Sequence, residues 1–319
     1  MSESMNHIKS QRAQTSRDYI KAVLLAIFVT ILWSSSWVII KFGLEEIPPL
    51  TFAGLRYFIA ALILMTAIGA SKTKRSELRV LRRRQIYTLV GYGIVFVAIT
   101  QGSQFVGLNL LEAITVSLLL NMTPLLVLVF GISLLKEVPT PTQIVLILIG
   151  IFGVLVYFYP LDLGMIQILG LVVVLVGVVS NAFSSIIGRA INRKRELSPL
   201  IVTGTSMMIG ALFLLVAGIA VENLQAISIL SWVYIIWLAV VNTALAFTLW
   251  NRAMQTIRAI DISIINGTML PQIVILSIIF LGEMPSVLNW LGLALIAFSA
   301  LLVQVIQAKR QNSSHSERE

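Results

Sequence analysis

The chain has 319 residues, of which 58% are hydrophobic and only 12% charged, and its mean hydropathy is +0.94. A soluble domain carries about 25% charged residues, so this composition excludes an ordinary soluble globular protein. The net charge of +9 does not by itself separate nucleic-acid binding from membrane anchoring, so the placement of the basic residues must decide.

Ten long apolar runs follow one another along the chain, and each approaches the roughly 20 residues that a helix needs to cross a bilayer. The first run is longer than a signal-peptide core and lacks a small-residue cleavage site, which predicts an uncleaved first helix. The second is interrupted only by Arg56. The sequence therefore predicts an all-α integral membrane protein with ten transmembrane helices. The runs are residues 22–40, 50–70, 86–111, 113–135, 138–161, 163–188, 197–221, 223–251, 262–282 and 284–308.

The basic residues lie almost entirely on one predicted side of the membrane. With a cytoplasmic N-terminus, all of the 23 Lys and Arg residues except Lys41 and Arg56 fall in or beside cytoplasmic segments. The cause is the cost of translocating Lys and Arg. This pattern predicts a multi-pass protein of the cell (inner) membrane with both termini in the cytoplasm. The basic run 72–84 is interpreted as a topology anchor at the lipid surface, and no nucleic-acid partner is expected.

The second half of the chain repeats features of the first. A Glu-x-Pro segment follows the fourth and the ninth run at a shift of 146 residues, and each of these runs contains an interior proline. Five helices per half is an odd number, so the two halves must have opposite orientations, as in many secondary transporters. The predicted divisions are a tail 1–19, a first repeat 20–161, a second repeat 162–307 and a tail 308–319. The matching residues are Pro124 with Pro271, Glu137 with Glu283, Pro139 with Pro285, and Pro49 with Pro199.

These repeated segments resemble a tandem pair of EamA domains of the drug/metabolite transporter superfamily. The resemblance covers roughly residues 20–307. The second copy, from Pro271 to Leu281-Gly282-Glu283, fits the family pattern well, whereas the first copy has Lys136 where glycine is usual. The resemblance implies ten helices around a central cavity, with both termini cytoplasmic. It also implies transport, with export from a bacterium as the favoured direction, of small metabolites such as amino acids.

Polar and aromatic residues far from the span ends are the candidate substrate-binding residues, because a solute path must replace the hydration shell of its cargo. Each of them has an alternative role, as an interfacial tryptophan or as an interhelical hydrogen bond. Together, polar groups at depth on five helices favour a hydrated cavity. The candidates are Trp33, Ser36, Trp37, Gln101, Gln104, Asn121, Asn181, Asn242, Asn266 and Gln272.

Three further residues have specific expectations. Pro124 and Pro271 lack an N–H and are predicted to kink their helices or act as hinges; Pro124 frees a carbonyl near Leu120. Arg56 can pair with a substrate carboxylate, but the favoured interpretation is that its side chain snorkels to the outer headgroups.

The sequence thus favours a secondary transporter of small metabolites over two other classes. A lipid translocase or small-solute channel on the same architecture is the alternative. An intramembrane enzyme is disfavoured, because no Walker-type, HExxH or paired acidic motif is present. No cofactor, metal or disulfide is expected, and the chain has no cysteine. Proton coupling through boundary groups such as Glu112 or Asp261 stays open beside simple facilitation, and the pattern does not determine an oligomeric state.

Overall fold

The computed structural model describes residues 2–135, 140–160, 163–193, 196–223, 226–257 and 259–316. In these ranges all regular secondary structure is helical, as expected where no water is present to satisfy backbone N–H and C=O groups. In chain order the helices are α1 Ser2–Gly43, α2 Pro49–Ala70, α3 Lys72–Arg79, α4 Arg83–Gly93, π1 Ile94–Ile99, α5 Thr100–Leu110, α6 Ala113–Leu120, α7 Thr123–Leu135, α8 Pro141–Tyr157, α9 Met165–Arg193, α10 Pro199–Val221, α11 Ile229–Ala239, π2 Val240–Leu245, α12 Ala246–Met254, α13 Ala259–Gly267, α14 Met269–Leu281 and α15 Val287–Ser316.

Nine helical stretches in the described ranges are long and apolar enough to cross a membrane. The fifth predicted run, 138–161, holds the shorter apolar helix α8. The prediction of an all-α membrane protein is confirmed, while the count of ten spans and their inverted arrangement stay predictions. Lys136, Glu137 and Pro139, which carry the first copy of the Glu-x-Pro repeat, lie outside the described residues.

The surface of the helix bundle is apolar, as the bilayer requires. On α10, for example, Val216 and Ile219 are 67% and 72% exposed, whereas Ala211 and Leu214 point inward and are buried. Exposing that much apolar surface to water would cost about 25 cal/mol per Å². Both faces of such a helix can be apolar only when lipid covers the outer one.

The spans pack in pairs that join the two predicted repeats. Helix α2 packs along α10, and α8 packs along α15. Helix α1 contacts α12 and α14 of the second repeat, and α9 contacts α5 and α7 of the first. A Cβ added at Gly93 would lie 2.4 Å from the backbone oxygen of Ser206, so the absence of a side chain permits this close approach of α4 to α10.

Two spans contain a π-helical turn and two are interrupted. In π1 the Thr100 hydroxyl donates to Val95 O at 2.8 Å, and in π2 the Thr243 hydroxyl donates to Leu238 O at 2.8 Å. Each threonine thus satisfies a carbonyl five residues earlier, where the regular i to i−4 ladder is broken.

The interruptions lie next to the two prolines. Helix α6 ends one residue before Asn121, and α7 begins just before Pro124; likewise α13 ends before Thr268, and Pro271 lies in the first turn of α14. Because Pro124 has no N–H to offer Leu120 O, the Thr123 hydroxyl donates to that carbonyl instead, at 2.7 Å.

Four glutamates tie the predicted repeats together at helix N-termini, where backbone N–H groups lack intrahelical acceptors. In each case the carboxylate belongs to one repeat and the capped helix to the other. Glu283, for instance, accepts from the N–H groups of Ala113 and Ile114 at 2.6 and 2.9 Å. The four carboxylates are Glu46 at Ser228, Glu77 at Ser198, Glu222 at Leu50 and Thr51, and Glu283 at the start of α6.

The capping bonds change the acidity of two of these carboxyl groups. The hydrogen bonds from Ser228 and Ser231 hold the pKa of Glu46 below its ordinary value. Partial burial raises the pKa of Glu77, but the bond from the Ser198 N–H and the charge of Lys74 outweigh it and leave that pKa lowered.

Candidate functional site

Three of the predicted substrate-binding residues converge on the middle of α1. The Gln272 amide of α14 donates to the Thr30 hydroxyl at 3.2 Å and accepts from the Ser34 hydroxyl at 3.0 Å. Asn242 of π2 donates to the backbone oxygen of Leu32 and to Ser35 Oγ. Its carbonyl oxygen is buried and has no donor among the described residues. Side chains from α14 and π2 therefore meet α1 of the other predicted repeat.

The third of these residues, Trp33, lies in an aromatic cluster. Its ring centroid is 5.0 Å from that of Trp250 and 5.5 Å from that of Phe247, both on α12. Phe247 and Trp250 were not singled out from the sequence, although their spacing of three residues places them on one face of a helix. Trp33 is partly exposed.

Ser36 and Trp37, by contrast, are engaged in packing. The Ser36 hydroxyl donates to Trp33 O at 2.5 Å within α1, and Trp37 belongs to the main apolar core with 7% of its surface exposed.

A second polar group surrounds the break between α6 and α7. The Asn181 amide of α9 donates to the Thr123 hydroxyl at 3.1 Å, and the Asn121 amide donates to Ser117 O at 2.9 Å. This arrangement mirrors the first group, in which Gln272 lies near the break between α13 and α14 and reaches α1. In both places a partly buried amide bonds a neighbouring span beside an interrupted helix.

Three candidates lie apart from these groups. Gln101 accepts a hydrogen bond from the Tyr57 hydroxyl at 2.6 Å, and Gln104 is partly buried with no hydrogen bond to any described residue. Asn266 is exposed on α13. A substrate role for all ten candidates, and a hinge role for Pro124 and Pro271, stays a prediction.

The snorkelling interpretation of Arg56 is wrong. The side chain is buried, with 5% of its surface exposed, and its Nε donates to Thr243 Oγ1 at 3.0 Å. The guanidinium carbon lies 5.2 Å from the ring centroid of Tyr57 and 5.9 Å from that of Phe105. Arg56 therefore points inward, where the Thr243 hydroxyl of π2 accepts from its Nε and two aromatic rings lie beside its guanidinium.

A charged cluster lies at the end of the bundle predicted to face outward. Lys41 Nζ donates to the backbone oxygens of Leu108 and Leu111, both at 2.9 Å, and so neutralises the C-terminal end of α5. Lys41, Glu45, Glu112 and Glu283 line a cavity of about 550 Å³. Burial raises the pKa of Glu112, and the Glu283 carboxylate raises it further, while Lys41 opposes both effects.

Several cavities lie at the ends of the bundle and on its flank. On the flank, a groove of about 510 Å³ between α4 and α9 adjoins an apolar groove of about 580 Å³ between π1 and α9, sharing Phe183 and Ile187. No three His, Asp or Glu side chains among the described residues are placed to hold a metal ion.

The sequence signature of the EamA-like transporter family matches the chain twice, at residues 20–159 and 168–305. The chain is 27% identical over 248 residues to the uncharacterized transporter YoaV of Bacillus subtilis (strain 168), covering 75% of this chain and 82% of that one. It is 28% identical over 289 residues to the uncharacterized inner membrane transporter YedA of Escherichia coli (strain K12), with 86% and 87% covered.

Two other similarities bear on function and fold. A probable amino-acid metabolite efflux pump of Escherichia coli (strain K12) is 25% identical over 241 residues, covering 72% of this chain and 77% of that one. A solved crystal structure superposes with a TM-score of 0.64 over 91% of this chain and 99% of the other at 20% identity, which shows the fold alone. With both family matches spanning its helices, this multi-pass membrane protein belongs to the EamA-like transporter family.

Proposed function

We propose that the chain is a secondary transporter that exports small metabolites such as amino acids by alternating access between two inverted five-helix repeats. The observation that carries the proposal is the meeting of polar and aromatic side chains from both predicted repeats at the middle of α1, namely Trp33, Asn242 and Gln272 with Trp250. Polar groups at membrane depth are costly, so they are expected mainly where they bond each other or line a solute path.

Packing between the repeats supports the alternating-access design. Each repeat contributes its first helix to a contact with the fourth span of the other repeat: α1 with α14, and α9 with α7. This reciprocity is expected of halves related by a pseudo-two-fold axis. The separate family matches at 20–159 and 168–305 support the same division.

The cargo class rests on two supports. The efflux pump of Escherichia coli named above is described as acting on an amino-acid metabolite, and it is similar over most of this chain. In addition, the amides at α1 and at the α6–α7 break can bond the polar groups of such a cargo, and Trp33 can contact an apolar side chain. The one-sided distribution of the basic residues supports an inner-membrane arrangement with both termini in the cytoplasm.

Counterflow of a panel of labelled amino acids in proteoliposomes tests the proposal. We expect the wild-type protein to move at least one of them, and Trp33→Ala and Asn121→Ala to reduce the initial rate at least five-fold. Trp290→Ala on the exposed face of α15 and Asn109→Ala at the exposed end of α5 are matched controls that should retain transport. No movement of any of these amino acids by the wild-type protein contradicts the proposal.

Proton coupling is tested in the same vesicles, with and without an imposed pH gradient. Flux that follows the gradient supports an exchanger, in which Glu112 at the predicted outer end is the group that takes up the proton. Equal flux in both conditions supports a facilitator.

Lipid translocation is the second candidate, and the groove along α9 is the observation that favours it. The groove is open on the bundle's flank, and Arg82 and Arg84 line its predicted cytoplasmic end. Its deeper part is apolar apart from Ser180, whose hydroxyl already donates to Val95 O at 2.8 Å. A translocase must lead a polar headgroup along its path, so this groove suits a bound lipid better than a moving one. Scrambling of labelled lipid by the purified protein, without amino-acid counterflow, would favour the translocase.

A further inference from the structure

We propose that Arg56 binds the carboxylate of the cargo, so that this transporter selects small metabolites with a free carboxylate. The inference rests on the proposed transport function and deepens it by naming the cargo's charged group and the residue that recognises it.

Position is the first argument. Arg56 lies seven residues into α2, about 10 Å from the start of that helix along its axis. It is 5% exposed at a place where two helices of the first predicted repeat meet π2 of the second. A charged side chain at membrane depth is expensive and, by default, marks a functional site.

The incomplete bonding of the guanidinium is the second argument. Arginine has five N–H donors and stays protonated in proteins. Only the Nε–H of Arg56 has a hydrogen-bond acceptor among the described residues, and no described carboxylate lies within salt-bridge distance. The two Nη groups therefore have no acceptor among the described residues, and a buried cation without an anionic partner is costly.

The surroundings hold the guanidinium in place without neutralising it. The Thr243 hydroxyl gives its own proton to Leu238 O, so it can only accept from Arg56 Nε. Tyr57 and Phe105 provide ring faces at 5.2 and 5.9 Å, and the Tyr57 hydroxyl is held by Gln101 Oε1. A planar cation fixed at Nε, whose two Nη groups have no acceptor among the described residues, can bind a carboxylate with two parallel hydrogen bonds.

Comparison of the predicted repeats gives the third argument. At the shift of 150 that aligns Pro49 with Pro199, the position equivalent to Arg56 holds Ser206, which is buried and bonds Val202 O of its own helix. A cation needed only to join two helices would suit either repeat. A cation in only one of the two predicted repeats instead makes the contact between them electrically asymmetric. Such a contact can orient a cargo that has one anionic end.

The test compares amino acids with their amides, which keep the side chain and the amino group but lack the carboxylate. For an amino acid that the wild-type protein moves in proteoliposome counterflow, we expect the amide to compete at least ten-fold more weakly than the acid. We define the acid-to-amide ratio as the factor by which the acid competes more strongly than its amide. Arg56→Gln should raise the KM for the acid at least ten-fold and reduce this acid-to-amide ratio to about one. Arg56→Lys keeps the charge but loses the fork geometry, so its KM and its acid-to-amide ratio should lie between those of the wild type and Arg56→Gln.

Controls separate this inference from folding effects and from the proposed function. Arg75→Gln, at an exposed basic residue of α3, should behave as wild type. If Arg56→Gln fails to fold, the acid-to-amide ratio of the wild-type protein still decides, and a ratio near one overturns the inference. If acids are moved and Arg56→Gln leaves KM and the ratio unchanged, the inference alone fails. If no amino acid is moved at all, both proposals fail.

Discussion

The two π turns use one backbone device in two different chemical settings. At π1 the Thr100 hydroxyl bonds Val95 O and Ser180 Oγ of α9, so the contact between the predicted repeats is neutral. At π2 the Thr243 hydroxyl bonds Leu238 O and accepts from Arg56 of α2, so the contact carries a cation. We call these the π1 seam (Val95, Thr100 and Ser180) and the π2 seam (Leu238, Thr243 and Arg56).

The difference shows what two similar halves can share and what they cannot. A π turn widens the helix and leaves one carbonyl short of its usual donor, and a nearby threonine hydroxyl satisfies that carbonyl in both seams. The residue that reaches the threonine from the other repeat then decides the chemistry. The two seams thus share a backbone device, while a single charge makes one of them the candidate for recognising cargo.

Matched threonine substitutions should separate the seams most strongly. Thr243→Val removes the acceptor of a charged hydrogen bond, a contribution of about 1.5–3 kcal/mol, so we expect the KM for a transported amino acid to rise at least about ten-fold. Thr100→Val removes neutral bonds, and a change of about two- to five-fold is expected. Proteoliposome counterflow measures both. Both variants lose the hydroxyl that bonds the π-turn carbonyl, so equal effects would mean that the Arg56 contact has no special role.

Removal of a helix cap asks whether transport depends on the seams or simply on holding the repeats together. Glu283→Ala leaves the Ala113 and Ile114 N–H groups without their acceptor, and we expect a loss of about 1–2 kcal/mol of unfolding free energy. Glu45→Ala, at an exposed carboxylate of the same cavity, is the matched control and should lose little. Unfolding of the purified protein in detergent measures both. If Glu283→Ala also brings the acid-to-amide ratio to about one, recognition of the carboxylate does not depend on the π2 seam alone.

A smaller pH effect is expected away from both seams. The raised pKa of Glu112 means that its contribution to stability is fully present below the ordinary Glu value of about 4.3 and is lost as pH rises through the raised pKa. Glu283 and Lys41 face it, from the segment after α14 and from α1. The melting temperature of Glu112→Gln should therefore fall less than that of wild type between pH 4 and pH 8. If the melting temperature of Glu112→Gln depends on pH as that of the wild type does, another group is responsible for the effect. Glu45→Gln is the control and should keep the wild-type pH dependence.

Sequence patterns predicted the membrane class and the neighbourhoods of several polar groups. The apolar runs lead directly to helices, because no other element except a closed barrel satisfies its backbone in lipid. The freed carbonyl near Leu120 and the interruptions beside Pro124 and Pro271 follow from proline's missing N–H. Gln272 and Asn242 were found as polar residues at depth, but their common partner, α1, was not predicted, since spacing along one helix does not identify the helix opposite.

Local chemistry alone thus decided which segments are helices, where they are interrupted and which residues are too polar for lipid. Tertiary structure decided which of those residues meet. The sequence allowed Arg56 to extend outward or inward, because its side chain is long enough for either direction. Only the packing of α2 beside π2, with Thr243 and two aromatic rings at the guanidinium, turned it inward. The acceptor of its Nε–H, the Thr243 hydroxyl, lies 187 residues away along the chain, so local sequence could not reveal it.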